Sequence, residues 1–535
     1  MSVVSTLVRC EISRVARARR LRDDRYAQVT NRGESVVVSV GIVGGGAAAV
    51  SLLRQLPVSD DLSVSVYADR VIGPGRAYAE ESDSALLNRQ AFAMSISAEE
   101  PDEFVQWCRT EHPELLLDGG HSFVPRWAYG RYLRQCTQAR ALDFGDSLTR
   151  ITGRVTDAAR EGDVWRLVVH RPGLPPETYR HDIVVLALGS SPPADPYRLE
   201  GTEHYTQDPY PVDDWLPTVL AGETAAVIGT GLSAIDVALA VRSRNWTGRL
   251  LMASRQGILP DVRSDLEPLD FDPDVGALIR RVQLRHGGLE WEDVVNIVDY
   301  LAVGEGLRRS EVRAAFRAIA EPAGPRLAGF SGRPASIAPE VQRLVICVAQ
   351  YYANDLWSAM TRSARSAMVA SVHAPFQALA NPLPARSAQV LGAMVVDGSL
   401  TVRHGVRDVA PSDSGLVVSS ADGDEAVEHV VNATRTPAGA PSGAAASLVS
   451  SLVYAGTARR NPYGGLRINV NDNSIVGRDG ASVPGLYALG EIASGDLYYI
   501  SSIAKIRRRA RAVARSIAER VTPAAHEPVR VVAGG

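Results

Sequence analysis

The sequence predicts an α/β fold built from two similar halves, because one local pattern occurs twice along the chain. A valine-rich run over 36–43 leads into Gly44-Gly45-Gly46 and then into an apolar helical pattern. Thr224–Ile228 leads in the same way into Gly229-Thr230-Gly231 and a second helical pattern. Short β-branched runs predict the strands, and a glycine turn between strand and helix begins a Rossmann-like domain. We therefore expect two Rossmann-like domains.

A helical insertion is predicted within the second domain. Between residues 265 and 384 the strand pattern gives way to apolar residues at helical spacing, in Glu290–Leu301, Ser310–Ile319 and Pro339–Met360. The first half has no comparable segment between its own strands. We expect the insertion to cover the junction between the domains and to shape a substrate site.

The composition is that of a globular protein of two or three domains that acts on a small molecule. Hydrophobic residues make up 45% of the 535 residues, charged residues make up 22%, and the formal net charge is −3. That balance does not attract nucleic acid or an anionic membrane. The longest apolar run, 36–50, is too short to span a bilayer. We expect a cytoplasmic protein, either a monomer or a homo-oligomer.

The two glycine turns match the G-x-G-x-x-A pattern of dinucleotide-binding domains. Gly44, Gly46 and Ala49 form the first copy, and Gly229 and Gly231 begin the second. The first glycine permits the tight turn, the second lets the backbone approach a pyrophosphate, and the small third residue allows close helix packing. The partial positive charge of each helix N-terminus then faces the phosphates. Two copies predict two dinucleotide sites.

The residues after the second strand of each unit indicate which dinucleotide binds there. Asp69 follows the strand 62–67 and is the candidate acid for the ribose, although a solvent-exposed turn aspartate is the alternative. In the second unit Ser254 and Arg255 follow the strand 249–253, where an NAD-specific domain has an acid. A guanidinium forms paired hydrogen bonds to a 2′-phosphate, so this site is predicted to take NADPH. An ordinary surface arginine is the alternative.

Two further glycine turns are expected to complete the first site, which we assign to FAD. Gly189 ends the last strand of the first half, and the apolar strand Gly485–Ala488 leads to Gly490 and Glu491. In two-domain flavoproteins such a segment closes the FAD site, with the acid on the ribityl or phosphate side. A plain strand-turn-helix unit is the alternative.

The spacing of the cysteines argues against redox or metal chemistry. The cysteines are widely separated and form no C-x-x-C pair or ligand cluster, so we predict neither a disulfide reductase nor a metal site; they are Cys10, Cys108, Cys136 and Cys347. Lys505, the only lysine, lies in the helix after Glu491; we expect it at the surface, and an approach to an anionic flavin or substrate is the alternative.

The motifs define the expected domain boundaries. Residues 1–34 are arginine-rich and are predicted to be a disordered basic extension. The other segments are the first part of the FAD domain (35–215), the NADPH domain (216–264 and 385–425), the helical insertion (265–384), the C-terminal part of the FAD domain (426–520) and a tail (521–535).

Further motifs give the chain a family resemblance. From Val38 to Ala514 it resembles bacterial FAD/NAD(P)-binding proteins related to N-hydroxylating amino-acid monooxygenases and to nitrosuccinate synthases. The matching pieces are Gly73-Pro74-Gly75-Arg76-Ala77-Tyr78, Leu86-Leu87-Asn88 with Met94-Ser95, Phe123-Val124-Pro125-Arg126 with Gly130 and Tyr132-Leu133, and Ile506-Arg507 with Ala510.

The resemblance implies roles for several residues. It places Arg76–Met94 beside the flavin, with Arg76 and Met94 as cofactor contacts, and assigns Arg126 to the FAD phosphates or adenosine. Asn88 is a candidate substrate contact within the same stretch. The chain departs from the family pattern at Arg89, where relatives have an apolar residue, and at Arg435, which replaces a glycine. Either arginine is a candidate carboxylate anchor; structural or surface roles are the alternative.

These features predict a monooxygenase that uses FAD, NADPH and O₂. Hydride would pass from NADPH to the flavin, and a C4a-hydroperoxyflavin would give its distal oxygen to a neutral substrate amine. No catalytic side chain is predicted. The most concrete substrate is a small acidic amino acid, with aspartate converted to nitrosuccinate in natural-product biosynthesis, including that of antibiotics. The alternatives are a reductase or dehydrogenase that passes electrons to a partner or small acceptor, and a nucleotide-binding scaffold.

Overall fold

Two mostly parallel sheets, one in each half of the chain, carry the fold. The computed structural model describes residues 37–79, 83–332, 334–413, 415–436, 439–498 and 500–521. The first sheet has the strand order β16-β17-β7-β1-β2-β3, and only β16 is antiparallel to its neighbour. Its strands are β1 Val38–Val43, β2 Leu62–Ala68, β3 Leu148–Thr152, β7 Ile183–Leu186, β16 Ser474–Val476 and β17 Ser482–Ala488.

The first sheet is covered on both faces, as its nearly continuous apolar strands require. Helices pack on one face, namely α1 Ala47–Gln55, α2 Glu103–Glu111, α3 Arg126–Phe144 and α16 Ile503–Val521. The other face carries α15 Gly443–Tyr454 and the antiparallel sheet of β4 Arg154–Glu161, β5 Val164–His170 and β6 Glu177–His181. This three-layer arrangement is a Rossmann-like domain.

The second sheet repeats this plan with the strand order β11-β10-β9-β15-β8, all parallel. Its strands are β8 Tyr205–Thr206, β9 Thr224–Ile228, β10 Arg249–Ala253, β11 Leu400–Arg403 and β15 His429–Asn432. One face packs against α4 Val212–Trp215, α5 Leu232–Ser243, α9 Gly324–Gly329 and α14 Ala385–Val396. The other packs against the sheet of β12 Asp408–Ser412, β13 Gly415–Ser420 and β14 Gly423–Val427. The predicted pair of Rossmann-like domains is confirmed.

The insertion is helical and has its own apolar core. Its helices are α6 Pro273–His286, α7 Trp291–Gly304, α8 Arg309–Ala320, α10 Pro339–Cys347, α11 Ala353–Ala359, α12 Arg362–Ser371 and α13 His373–Ala380. The stretch predicted to be helical over Pro339–Met360 is helical, and it consists of α10, a π-helix over Val348–Tyr352, and α11. Such π-helical turns are frequent at functional sites.

The structure corrects two predicted domain boundaries. β15 hydrogen bonds along β9, so residues 429–432 belong to the second domain and not to the FAD segment predicted from 426. β8 pairs with β15, and α4 packs in the second core, so residues 205–215 also belong there. The extension predicted over 1–34 and nearly all of the tail predicted over 521–535 lie outside the described residues. Among the described helices, none has the length and apolar character needed to cross a membrane.

Candidate functional site

The first glycine turn is fixed by close backbone packing. Gly44 follows β1 with φ of +115°, and a Cβ on this residue would lie 2.0 Å from the Ala187 carbonyl oxygen. Only glycine therefore fits. Gly46 is the N-cap of α1, and no side chain caps that helix. Its first N–H groups are thus left for an anionic ligand, while the fully buried Ala49 packs the helix against the sheet.

Other segments crowd around the first turn. A Cβ on Gly75 would lie 2.9 Å from the Gly46 Cα, so the Gly73–Tyr78 segment passes directly over the turn. Gly490 approaches from β17, since its Cβ would lie 3.6 Å from the Ala48 Cβ. Gly189 follows β7 and has open space around it. Met94 is buried among the helices of the same core.

The second glycine turn is open. Gly229 needs its φ of +139°, because a Cβ there would lie 2.4 Å from the Ala433 carbonyl oxygen. Gly231 is the N-cap of α5, and a Cβ on it would meet no described atom within 4 Å. The Ser254 hydroxyl lies 2.9 Å from that of Thr230 and accepts a hydrogen bond from Gly257 N. Arg255 is exposed at the end of β10.

Asp69 directly follows β2 but already has a partner. Its carboxylate accepts a hydrogen bond of 2.9 Å from Arg154 Nε, and both side chains are largely exposed. The position suits a ribose contact at the end of β2, whereas the ion pair is what an ordinary surface aspartate would make. A ribose role for Asp69 therefore stays a prediction.

Arg76 and Arg126 link the two domains. Arg76 donates two hydrogen bonds to Asp208, at 3.0 and 2.6 Å. Arg126, the first residue of α3, pairs at 2.8 Å with Asp236, which is buried in α5 and also accepts a hydrogen bond from the Tyr210 hydroxyl. The sequence does not indicate these partners, because they lie more than 100 positions away.

Asn88 and Arg89 face the insertion. The Asn88 amide donates to Asn381 Oδ1 at 3.3 Å, just after α13 ends. Arg89 donates to Gln350 Oε1 at 3.0 Å, and Gln350 belongs to the π-helix. The two predicted substrate contacts therefore lie on the surface that the insertion covers.

Arg435 lies at the other end of α13. Its guanidinium contacts the imidazole of His373, whose Nδ1 lies 2.7 Å from the Tyr498 hydroxyl. Burial, reinforced by Arg435, lowers the pKa of His373 to about 4, so this ring is neutral at pH 7. Burial raises the pKa of Glu491, while Arg435 acts in the opposite direction. His373 and Tyr498 were not predicted from sequence, because each stands alone in its local pattern.

Lys505 is buried, so the predicted surface position is wrong. Only 3% of this residue is exposed, and its Nζ lies 3.4 Å from the Tyr498 carbonyl oxygen. Burial, together with the nearby Arg508 and Arg509, lowers the pKa of Lys505 to about 7.

The residues of both turns fit a bound dinucleotide. Each turn offers an uncapped helix N-terminus with no acid in its first turn. Close packing fixes Gly44 and Gly229, whereas the space above Gly189 and Gly231 is open. Backbone N–H groups at the end of a parallel sheet, with room above them, are what a pyrophosphate requires. The fold and site define a protein with two dinucleotide-binding domains.

Comparison with known proteins agrees with this class. Residues 41–191 match the FAD-NAD(P)-binding family model, so this segment is an FAD-NAD(P)-binding domain. The prediction of a dinucleotide-binding domain in the first half of the chain is confirmed. No curated protein sequence matches the chain.

Solved structures share the fold across most of the chain. Ornithine hydroxylase from Pseudomonas aeruginosa superposes with a TM-score of 0.56 at 13% identity, covering 91% of this chain and 100% of that one. Ornithine N-hydroxylase from Kutzneria sp. 744, solved with reduced FAD, NADP⁺ and L-ornithine, gives 0.55 at 13% identity, with 90% and 99% covered. The cadaverine monooxygenase of Erwinia amylovora, bound to FAD, gives 0.50 at 13% identity, with 92% and 96% covered.

Proposed function

We propose that this protein is an FAD- and NADPH-dependent monooxygenase that oxygenates the amine of a small amino acid. One observation carries the proposal: the insertion contacts both candidate carboxylate anchors, Arg89 through Gln350 and Arg435 through His373. Solved structures of similar fold include ornithine hydroxylases and a cadaverine monooxygenase, which agrees with a substrate amine.

The helix α13 sets the size of the proposed substrate site. His373 begins this helix beside Arg435, and Asn381 ends it beside Asn88. At 1.5 Å per residue these ends lie roughly 12 Å apart. That span suits a small amino acid lying against the reactive edge of a flavin, and it disfavours a large substrate.

The side chains of this chain would bind and orient the substrate. Arg89 and Arg435 can each form paired hydrogen bonds to a carboxylate, so two of them favour a dicarboxylic amino acid such as aspartate. Neutral His373 adds no charge beside Arg435. The insertion would exclude water from the amine.

When bound, FAD would supply the oxygen chemistry, because its reduced form reacts with O₂. In the first oxidation, substrate amine, O₂, NADPH and a proton give the hydroxylamine, NADP⁺ and water. With aspartate as the substrate, further oxidation would end at nitrosuccinate. Arg255 at the end of β10 supports NADPH as the reductant.

The test measures NADPH and O₂ consumption by the flavin-loaded protein with aspartate, glutamate, ornithine and lysine, and identifies products by mass spectrometry. We expect aspartate-dependent consumption with an N-oxygenated product. The variants Arg89→Gln and Arg435→Gln should raise KM for aspartate by about tenfold or more, as expected when a charged hydrogen bond is lost. NADPH consumption whose rate is the same with and without every amine tested, and that yields only hydrogen peroxide, would refute the proposal. Oxygen-independent turnover would favour a reductase instead.

A further inference from the structure

The insertion encloses a cavity that contains none of the predicted site residues. It lies among α7, α8 and α10–α13 and has a volume of about 400 Å³. Residues from these six α-helices and from the π-helix line it, including Trp291, Val298, Phe316, Val348, Met368 and Phe376. A void of this size is within the range of pockets that hold small organic ligands.

The walls of the cavity are almost entirely apolar. Valine, leucine, methionine and aromatic side chains from every surrounding helix face it. Packed protein interiors rarely keep a void much larger than a water molecule. Several of these side chains, among them Val298 and Phe316, are only half-buried, so the cavity opens to solvent between α7 and α8. Its shape and chemistry suit an extended hydrocarbon group.

Charged side chains stand at the opening, and their balance is positive. Arg309 pairs with Asp299 and Glu292 from α7. Arg313 and Arg317 follow at intervals of four residues, which puts them on the same side of α8, and both are exposed. Neither of these two makes an ion pair with a carboxylate in the described part of the chain. The three arginines exceed the two acids by one charge.

We propose that this cavity binds a medium-chain carboxylate, with the hydrocarbon inside and the carboxylate at Arg313 and Arg317. This second site goes beyond the proposed monooxygenase function, since Asn88, Arg89 and Arg435 do not line it.

The cavity shares two walls with the proposed substrate site. Val348 lines the cavity two residues before Gln350, the partner of Arg89. Phe376 lines it three residues after His373, the partner of Arg435. A bound carboxylate would therefore pack against both elements that hold the candidate substrate arginines.

The test titrates the full-length, flavin-loaded protein with hexanoate, octanoate and decanoate below their micelle concentrations, using isothermal calorimetry. We expect one site per chain, with affinity rising about fourfold for each methylene added. Decanol, which has no charge, should bind more weakly. Absence of saturable decanoate binding, or affinity independent of chain length, would overturn the proposal.

Variants locate the site. The double variant Arg313→Gln/Arg317→Gln should weaken decanoate binding about tenfold, while decanol binding stays unchanged. The matched control Arg281→Gln/Arg285→Gln removes the same charge from exposed positions on α6 and should bind decanoate like the parent. Val298→Trp, which fills the cavity, should abolish binding.

If the control weakens binding as much as the double variant does, the carboxylate contact is not at Arg313 and Arg317 and the assignment fails. It also fails if sedimentation shows a dimer that Val298→Trp dissociates, because the cavity would then be an interface. Substrate turnover is measured separately with no hexanoate, octanoate or decanoate present, so failure of the monooxygenase proposal is distinguished from failure of this one.

Discussion

The two glycine turns have the same sequence pattern but different surroundings. The first turn is approached by Ala187 at Gly44, by Ala68 and Ile72 at Gly45, and by Gly75 at Gly46. At the second turn Ala433 packs against Gly229 in the same way, but around Gly231 no described atom lies within 4 Å of where a Cβ would stand. The first turn therefore suits a cofactor that stays bound through many turnovers. The second suits one that enters and leaves in each cycle, as FAD and NADPH would in a monooxygenase.

The most severe test of this contrast replaces the tightly packed Gly44 of the first turn and the open Gly231 of the second. Gly44→Ala puts a Cβ 2.0 Å from the Ala187 carbonyl oxygen at a φ of +115°. We expect it to lower the free energy of unfolding by about 4 kcal/mol and to abolish flavin binding. Thermal unfolding and bound-flavin absorbance measure both effects.

Gly231→Ala is the comparison in the second turn, at the position that corresponds to Gly46. Its Cβ enters open space at an ordinary φ of −83°, so the melting temperature and the flavin content should not change. Only NADPH affinity should fall, because the methyl group occupies space meant for the pyrophosphate. A stable, yellow Gly44→Ala protein would refute the contrast between the turns.

The second prediction concerns the ion pair that joins the two domains. Arg126→Ala leaves the buried Asp236 carboxylate without its cation, and we expect a loss of about 3 kcal/mol in denaturant unfolding. Arg154→Ala breaks the exposed pair with Asp69 and should cost less than about 1 kcal/mol. Equal losses for the two variants would show that the pair at the junction does not support the fold.

The third prediction concerns Lys505, a basic side chain that is buried in the first domain, whereas Arg255 of the second domain is exposed. The folded pKa of Lys505, about 7, lies below its unfolded value, so between them the unfolded chain holds more protons and stability rises with pH. From pH 7 to pH 9 this contribution amounts to about 2 kcal/mol. The free energy of unfolding of Lys505→Met should not show this rise with pH. The variant should therefore be more stable than the parent at pH 7, and the difference in stability should shrink toward pH 9. A difference in stability between variant and parent that does not change with pH would contradict the low pKa of Lys505.

The smallest expected effect concerns the choice between reduced nicotinamides at the second turn. Arg255→Ala should lower kcat/KM for NADPH about tenfold and leave that for NADH unchanged, because only NADPH has a 2′-phosphate. Arg249→Ala, at the opposite end of the same strand, is the control and should leave the NADPH to NADH ratio unchanged. If Arg255→Ala lowers kcat/KM equally for NADPH and NADH, Arg255 does not recognise the 2′-phosphate and gives no argument for NADPH.

Local patterns were enough to predict the two turns and the strands before them. Gly44 and Gly46 are needed by the tight turn after the valine-rich strand, which is a local property of the backbone. A short stretch of sequence is therefore enough to predict the turn. The boundary predicted at 426 failed for the opposite reason. β15 has four residues, and only its pairing with β9 assigns it to a sheet. The same holds for Arg126, whose partner Asp236 becomes a neighbour only through the packing of two domains.

The burial of Lys505 is another case in which packing between distant segments, and not the local helical pattern, decides where a residue lies. The apolar stripe of α16 includes Ile503, Ile506 and Ala510, and Lys505 lies beside that stripe. A lysine there is normally solvated. It is buried because the chain around Tyr498 covers it, which the helical pattern does not encode.

That single buried amine gives the protein an unusual chemical property. Every other basic side chain among the 57 lysines and arginines is an arginine. Amine-directed reagents therefore have one side-chain target, and it is shielded from them in the native state. Acylation of Lys505 would require the region around Tyr498 to open. The labelling rate, followed by mass spectrometry, therefore measures local unfolding of that region.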